Sequence, residues 1–331
     1  MNEENNFNSY SQQEIINYLN EINNDNKLLR QELNEQKEII DSHYQILNII
    51  MSNKFIKANG ILRNLQLHTL EMVRFVDNIC KKYDFKYWLE FGSLIGAIRH
   101  EGFVPWDDEV DMAMPRKDFE MFLKILPKEI NRFDGLNEKL KVRKGSTVFK
   151  NAKIEGKGWS PILQFLSKSP YAGLEVYPID YVKFDKDSSI SDFKKRFSKV
   201  KANFKKNYLQ KKCTFEDGII EGNKKIGITK EKTDFLSFPL DGSNRGPIPV
   251  STIYPLKKCN FEGYEFYIPN KPIEHLGTQY GKKIMDIPEK IHHHNFVPLF
   301  ILKREKGKDL DKLYEDTLRY WKNINDNFNS I

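Results

Sequence analysis

The feature that most constrains the fold is a short acidic segment, FVPWDDEVDMA at residues 103–113, which has four carboxylates within five positions. Apolar side chains recur at every second position over 110–114, which is the period of a half-buried strand. Residues i and i+2 of a strand share a face, so Asp107, Glu109 and Asp111 are predicted to point the same way. Like charges about 6–7 Å apart repel one another, so the row predicts a counter-cation, for which oxygen ligands favour Mg²⁺ or Mn²⁺. A solvated acidic turn is the alternative.

The bulk composition narrows the class of protein. The chain has 331 residues, and its formal charge of +7 fits anionic small molecules or a membrane surface better than nucleic acid, so no nucleic-acid partner is expected. Three cysteines without metal spacing indicate a reduced compartment. Residues 1–10 lack the apolar core of a signal peptide, and no apolar run is long enough to cross a membrane. The sequence therefore predicts a cytoplasmic protein, with peripheral contact at the inner face of the membrane left open.

Residues 12–51 have the pattern of a coiled coil, in which seam positions alternate at spacings of four and three through five heptads. The two series of seam positions are Ile15, Ile22, Leu29, Gln36, His43 and Ile50, and Leu19, Asn26, Leu33, Ile40 and Leu47. The polar members weaken such a seam but can fix its register. The pattern predicts an oligomerising domain over 1–55, which leaves 56–331 as a second domain. A single helix packed on its own domain is the alternative.

Residues 192–212 predict a basic amphipathic helix. Its apolar side consists of Phe193, Phe197, Val200, Phe204 and Tyr208, and lysine and arginine residues fill the other side. A helix of this kind can lie on an anionic membrane. The alternative is a surface helix whose apolar side packs on the core.

A Gly-Ser pair precedes the acidic segment. Gly92 and Ser93 stand between a predicted strand, 85–91, and a predicted helix, 94–99. Glycine lets a phosphate approach the backbone, the start of a helix favours an anion, and a serine hydroxyl can cap the helix. Alone, the pair is weak evidence. Together with the acidic strand, the Gly-Ser pair predicts a phosphate-binding turn that faces a divalent metal site. This arrangement is typical of phosphoryl and nucleotidyl transfer.

The segment Trp88–Met114, WLEFGSLIGAIRHEGFVPWDDEVDMAM, resembles the signature of the LicD family. That family includes bacterial phosphocholine transferases and, more remotely, fukutin-type ribitol-phosphate transferases. Shorter segments resemble its later blocks, so the resemblance runs from residue 60 to residue 300. These segments are AKI at 152–154, LEVYPID at 174–180, FEGYEFYIP at 261–269, QYG at 279–281 and IPEKIHHH at 287–294.

The resemblance implies an α+β fold, with a nucleotidyltransferase-like mixed sheet surrounded by helices and preceded by the N-terminal coiled-coil helix. It also implies site residues. Gly92 and Ser93 match the phosphate-binding turn, and Glu109 and Asp111 match the metal-binding acid pair. Glu175 matches the third carboxylate, which holds metal or acts as a base. Glutamate stands at 109 and 175 where aspartate is usual in the family, and its longer side chain still reaches a metal ion.

Other candidates have weaker support. Asp107 is a candidate general base, and Asp108 lies on the opposite strand face. Arg99 and Lys153 match cations that would neutralise a diphosphate, with a structural salt bridge as the alternative for each. His294, in the run 292–294, is a candidate substrate contact.

The resemblance implies a phosphotransferase that depends on Mg²⁺ (or Mn²⁺). It would move choline, glycerol or ribitol phosphate from a CDP-activated donor to a hydroxyl of a cell-surface glycan. The acceptor would be capsule polysaccharide, lipooligosaccharide or a lipid-linked precursor of either, in a bacterium. There are two alternatives. The same site could carry out nucleotidyl or sugar-phosphate transfer, or the chain could be a catalytically inactive coiled-coil scaffold.

Overall fold

The computed structural model describes residues 11–51, 57–145, 162–167, 172–240, 242–281, 284–286 and 305–330. Contacts divide the chain into two compact units, Met1–Met51 and Ser52–Ile331. In the first unit, a single helix, α1, covers Gln12–Met51. The apolar seam residues of α1 are exposed, as Leu33 (65%) and Leu19 (54%) illustrate. The helix predicted over 12–51 is confirmed, and its self-association stays a prediction.

The second unit combines helices with short strands. Its described helices are α2 (Gly60–Tyr83), α3 (Phe91–Arg99), α4 (Arg116–Asn131), α5 (Leu136–Lys139), α6 (Ile190–Leu209), α7 (Phe215–Ile226), α8 (Val250–Ile253), α9 (Pro272–Tyr280) and α10 (Leu310–Asp326). Its described strands are β1 (Trp88–Leu89), β2 (Glu109–Pro115), β3 (Leu140–Gly145), β4 (Ile162–Ser167), β5 (Gly173–Val182), β6 (Ile228–Thr229), β7 (Phe235–Ser237), β8 (Ile248–Pro249), β9 (Lys257–Phe261) and β10 (Tyr264–Ile268).

The central sheet is mixed. Its main path has the order β1-β2-β5-β4-β3, in which β2 and β5 are parallel and the other neighbours are antiparallel. The end of β5 also pairs with β6 and β7, and β7 pairs with β8. β9 and β10 form a separate hairpin. The predicted α+β class, with a mixed sheet among helices and a long N-terminal helix, is confirmed.

The strand predicted within the acidic segment is confirmed as β2, but it begins at Glu109, so the expectation that Asp107 belongs to the strand is wrong and Asp107 lies in the loop before it. The inward side chains of β2 form the middle of the core. Val110, Met112 and Met114 are fully buried in one cluster with α2 residues such as Val73 and Val76. Burial of each such side chain contributes about 1.5–3 kcal/mol. This packing fixes which face of β2 is apolar, so the acidic residues must occupy the other face.

The strand predicted over 85–91 is largely wrong. Only Trp88 and Leu89 pair with β2, and α3 begins at Phe91. Phe91 has a φ of +49°, so the backbone leaves the extended conformation there. As a result, Gly92 and Ser93 lie inside the first turn of α3 rather than in front of it.

The basic amphipathic helix is confirmed as α6, and its aromatic side packs on the protein. Phe193, Phe197 and Phe204 are buried in a cluster with Phe215 and Ile219 of α7. The alternative of a surface helix packed on the core is therefore correct for these rings, and any membrane contact would have to use the basic side. Within the described residues, no helix combines the length and the apolar character that crossing a membrane requires.

A buried histidine in α2 gives stability a pH dependence. His68 is fully buried near Tyr314 and Trp321, and neither ring nitrogen has a hydrogen-bond partner among the described residues. Burial lowers the pKa of His68 from 6.5 to about 3. The neutral form is therefore favoured in the folded chain, whereas the unfolded chain takes up a proton below pH 6.5. This contribution to stability is present above pH 6.5 and is lost as the pH falls towards 3.

We expect His68→Leu to reduce the acid sensitivity of folding. At pH 5 the wild-type penalty from this group is about 2 kcal/mol, because each pH unit below the unfolded pKa costs about 1.4 kcal/mol. Thermal unfolding at pH 7 and pH 5 measures the effect as the change in Tm between the two. An equal change in Tm for the variant and the wild type would show that His68 is not responsible.

Candidate active site

The parallel pairing of β2 with β5 brings three predicted carboxylates to one face of the sheet. In the register of this pair, Asp111 lies opposite Glu175, and Glu109 lies opposite Gly173. Paired residues on neighbouring strands share a face, and Glu109 shares that face with Asp111 two positions later. Residues about 65 positions apart in sequence therefore become neighbours, as the predicted site requires.

Asp111 is the most strongly perturbed of these groups. Its side chain is 9% exposed, and its Oδ1 atom has no hydrogen-bond partner among the described residues. Burial raises the pKa of Asp111 well above its usual value, and neighbouring negative charges raise it further. The neighbours that do so are Glu109, Glu175, Asp107 and Glu90. The site therefore concentrates negative charge around Asp111.

The first turn of α3 forms the opposite wall. The backbone N–H of Asp111 donates to Ser93 Oγ at 2.8 Å, so the serine hydroxyl joins this turn to β2. A Cβ atom on Gly92 would lie 2.7 Å from Asp107 Oδ2, so the absence of a side chain lets this carboxylate approach the helix. The start of a helix carries partial positive charge and favours anions. The two predicted walls, Gly92-Ser93 and the acidic strand, are in direct contact.

Two further contacts orient the acids. The hydroxyl of Tyr177 donates to the carboxylate of Glu175. The side-chain amide of Gln66, on α2, donates to the backbone carbonyl of Asp107 at 2.8 Å, which fixes the turn before β2. Burial raises the pKa of Tyr177, and the charge of Asp111 adds to this, so its phenol stays protonated and can donate.

Glu90 is a site residue that the sequence reasoning missed. It is fully buried, it accepts from Trp88 Nε1 at 2.7 Å and from Gln279 Nε2 at 2.8 Å, and it contacts His275 Nε2 at 2.7 Å. Burial alone would raise the pKa of Glu90, but the contacts, led by His275, bring it below its usual value. The only local pattern that could have pointed to this contact is the i, i+4 spacing of His275 and Gln279, which places both side chains on one face of α9. Because both Glu90 oxygens are engaged, this carboxylate anchors α9 to the start of α3.

The residues present fit a divalent cation. Carboxylate oxygens are the donors that Mg²⁺ and Mn²⁺ prefer, and Asp111 Oδ1 is a buried acceptor without a partner among the described residues. Among those same residues, no three His, Cys, Asp or Glu side chains are already assembled around one point that could hold a metal. Glu109, Asp111 and Glu175 would therefore have to adjust their side chains to hold an ion together.

Arg99 lies in the last turn of α3, at the opposite end from Ser93. Its Nη1 donates to the carbonyl of Asp286 at 2.9 Å, its Nε donates to His100 at 2.9 Å, and its guanidinium lies 5.7 Å from the Trp106 ring. Burial lowers its pKa, although Asp286 opposes this effect. These contacts join α3 to residues 284–286, and its predicted role toward a diphosphate stays a prediction.

The remaining candidates divide by position. Asp108 is buried, and its backbone N–H donates to Asp107 Oδ1 at 3.1 Å. Lys153 and His294 lie outside the described residues, together with the segments 152–154 and 287–294. Their predicted roles in substrate binding stay predictions.

The comparison with protein families agrees with this architecture. The family model described as LicD/FKTN/FKRP, nucleotidyltransferase domain, matches residues 84–217, which include both walls of the site. The mixed sheet and its acidic face thus belong to a transferase built on a nucleotidyltransferase domain. This match and the similarity to a relative over most of the chain, given below, agree with the resemblance to the LicD family that the sequence motifs indicate.

Three relatives show how far the similarity extends. The lipopolysaccharide cholinephosphotransferase LicD of Haemophilus influenzae is 29% identical over 259 residues, which cover 70% of this chain and 96% of that protein. An uncharacterized protein of Rickettsia typhi is 32% identical over 79 residues, or 24% of this chain and 26% of that protein. The ribitol 5-phosphate transferase FKRP of Homo sapiens is 42% identical over 48 residues, or 14% of this chain and 10% of that protein.

Proposed function

We propose that this chain transfers a phospho-alcohol group from a CDP-activated donor to a hydroxyl of a cell-surface glycan or of its lipid-linked precursor. The observation that carries the proposal is Asp111, a buried carboxylate with an unpartnered oxygen among the described residues, surrounded by acids and facing the Gly92-Ser93 turn. A site with this charge distribution suits a metal-bound phosphate. The names of two relatives, a cholinephosphotransferase and a ribitol 5-phosphate transferase, favour choline or ribitol as the alcohol.

Each residue of the site has a proposed task. Glu109, Asp111 and Glu175 would hold Mg²⁺ or Mn²⁺, which supplies charge neutralisation for the transferring phosphoryl group. The N–H groups at the start of α3 bind a phosphate oxygen, and the absence of a side chain on Gly92 lets Asp107 lie against the same turn. Asp107 or Glu175 takes the proton from the acceptor hydroxyl, and the Tyr177 hydroxyl orients Glu175 for this work.

A panel of donors tests the proposal. CDP-choline, CDP-glycerol and CDP-ribitol are each incubated with the full chain, Mg²⁺ or Mn²⁺, and capsule or lipooligosaccharide acceptors. We expect CMP release with at least one CDP-alcohol and none without a divalent cation. ³¹P NMR separates nucleotidyl transfer, which from these donors would attach CMP to the acceptor and release the alcohol phosphate in place of CMP. Turnover with a sugar nucleotide and with none of the CDP donors would overturn the donor assignment.

We also propose that α1 joins copies of the chain. Its apolar seam residues are exposed along the helix, and a long stripe of exposed apolar side chains favours association, although three polar residues interrupt it. Leu33→Lys places a charge in the seam, whereas Leu28→Lys makes the same change outside it at a residue of similar exposure, 61% against 65%. We expect sedimentation to show a smaller assembly for Leu33→Lys alone. Equal sedimentation of the two variants would contradict a coiled-coil seam.

If the acceptor is lipid-linked, the basic side of α6 can hold the protein at the membrane surface where that acceptor lies. Lys195, Lys199 and Lys206 are exposed on the side opposite the buried rings, and a basic surface is attracted to anionic lipid headgroups. A location in the cytoplasm, with peripheral contact at the inner membrane face, is part of the proposal.

A further inference from the structure

A second feature lies at the rim of the site, in the loop between β7 and β8. The guanidinium carbon of Arg245 lies 5.0 Å from the centroid of the Phe91 ring and 4.9 Å from the centroid of the Tyr280 ring. Phe91 directly precedes Gly92, and Tyr280 directly follows Gln279, which contacts Glu90. The loop thus brings an arginine between the two elements that border the acidic cluster.

Arg245 is held by these rings rather than by an acid. Among the described residues it forms no ion pair, and its buried Nε has no hydrogen-bond partner. Contacts with aromatic faces fix the plane of a guanidinium but leave its N–H groups unused. A half-buried cation with unused donors is costly unless an anion pairs with it. The described protein groups do not provide that anion.

The carboxylates of the site are close by, yet they are not the partners of Arg245. Burial raises the pKa of Tyr280; the charge of Arg245 opposes this, whereas the charges of Asp111, Glu90 and Asp107 add to it. The Tyr280 ring is therefore within electrostatic reach of the acids and in contact with the cation. Within the described residues, the acids and the Arg245 cation form no ion pair with one another across this ring. A ligand that bridges them must present anionic oxygens to Arg245 and share a metal ion with the acids.

We propose that Arg245 binds the diphosphate of the nucleotide-activated donor and holds the charge of the phosphate that leaves with the nucleotide. This inference rests on the proposed function and deepens it by naming a substrate-binding residue that no sequence motif marked. A guanidinium presents paired N–H groups that match phosphate oxygens. The Phe91 and Tyr280 rings already contact this cation, so they do not form a cage for the ammonium group of choline.

Three variants and two probes test the proposal in the full chain. Arg245→Gln keeps a planar side chain without charge, and Arg245→Lys keeps the charge without the planar fork. Arg196→Ala is the matched control, because Arg196 is exposed on α6 and its guanidinium lies 5.4 Å from the Phe193 ring. Calorimetric titration measures binding of inorganic pyrophosphate with Mn²⁺ and, separately, binding of cytidine, which lacks phosphate.

We expect Arg245→Gln to weaken pyrophosphate binding about tenfold to a hundredfold, the usual range for loss of hydrogen bonds to a charged group. Arg245→Lys should recover only part of that loss, while cytidine binding and the Arg196→Ala control stay at the wild-type level. Wild-type pyrophosphate affinity in both Arg245 variants would overturn the inference, and so would a wild-type chain that binds no pyrophosphate. If pyrophosphate binding depends on Arg245 but no CDP-alcohol is turned over, the donor assignment fails and the anion site stands.

Discussion

Replacing Asp111 by asparagine is expected to abolish transfer and, at the same time, to make the fold more stable. The loss of activity should be about a thousandfold or more, because the variant removes the central carboxylate of the site. The gain in stability follows from burial, since a neutral amide of the same shape no longer repels the surrounding acids. Replacement of an uncompensated buried charge is worth on the order of 1–3 kcal/mol. The measurements are CMP release in the presence of Mg²⁺ and, separately, thermal unfolding at pH 8 without divalent cations.

The sign of the pH dependence follows from the raised pKa of Asp111. Below the unfolded pKa, the aspartate is protonated in both states and carries no penalty. As the pH rises towards the folded pKa, the unfolded chain loses its proton first, so the wild-type fold becomes less stable. The Tm advantage of Asp111→Asn should therefore grow as the pH rises. Added Mg²⁺ should raise the Tm of the wild type and leave that of the variant almost unchanged.

A second aspartate provides the control. Asp180 lies near the end of β5 and is also buried, but it accepts two hydrogen bonds from Arg116, at 2.6 and 2.9 Å. Asp180→Asn leaves that guanidinium without its counter-charge and should lower the Tm. The same chemical change should therefore shift stability in opposite directions at the two positions. A lower Tm for Asp111→Asn, or normal turnover in that variant, would contradict the assignment.

Local sequence patterns were sufficient to predict the acidic strand β2. They were insufficient to predict which other strand pairs with it to complete the site. The alternation over 110–114 predicted β2 and its acidic face correctly, because period and burial depend on neighbouring residues alone. The register of Asp111 against Glu175 does not follow from any local pattern, since it depends on the path of the chain between two strands. Only the family resemblance pointed to Glu175.

The features that the sequence did not predict depend on contacts between segments that are distant in the chain or on local backbone geometry. Glu90 and Arg245 carry no spacing signal of their own, because the neighbours of Glu90 come from α9 and those of Arg245 come from α3 and α9. Only residues 88–89 of the predicted strand 85–91 pair with β2, and a positive φ at Phe91 ends the extended backbone although apolar residues continue. For α6, the same aromatic stripe would suit a membrane or a protein core, and the presence of α7 decides between them.

Substitution of Gly96 is expected to lower both stability and activity. Gly96 lies in the middle of α3, and the backbone of residues 102–104 packs directly against it. A Cβ atom there would lie 2.3 Å from the carbonyl oxygen of Gly102 and 3.0 Å from the amide nitrogen of Val104. Both atoms belong to the backbone that leads into Asp107 and β2, so neither can rotate away. We expect Gly96→Ala to cost about 3 kcal/mol or more by overpacking and to reduce transfer sharply.

Gly277 is the matched control for this substitution. It lies inside α9, and a Cβ atom there would meet nothing within 4 Å. Gly277→Ala should leave the Tm unchanged or raise it, because alanine favours a helix over glycine by up to about 1 kcal/mol. Urea unfolding of both variants compares the free energies directly, and equal values would show that the close approach at Gly96 is not required. Gly96→Ala should lose both activity and stability, whereas Asp111→Asn should lose activity and gain stability. The two variants together therefore distinguish the backbone geometry that positions the acids from the charge that the acids carry.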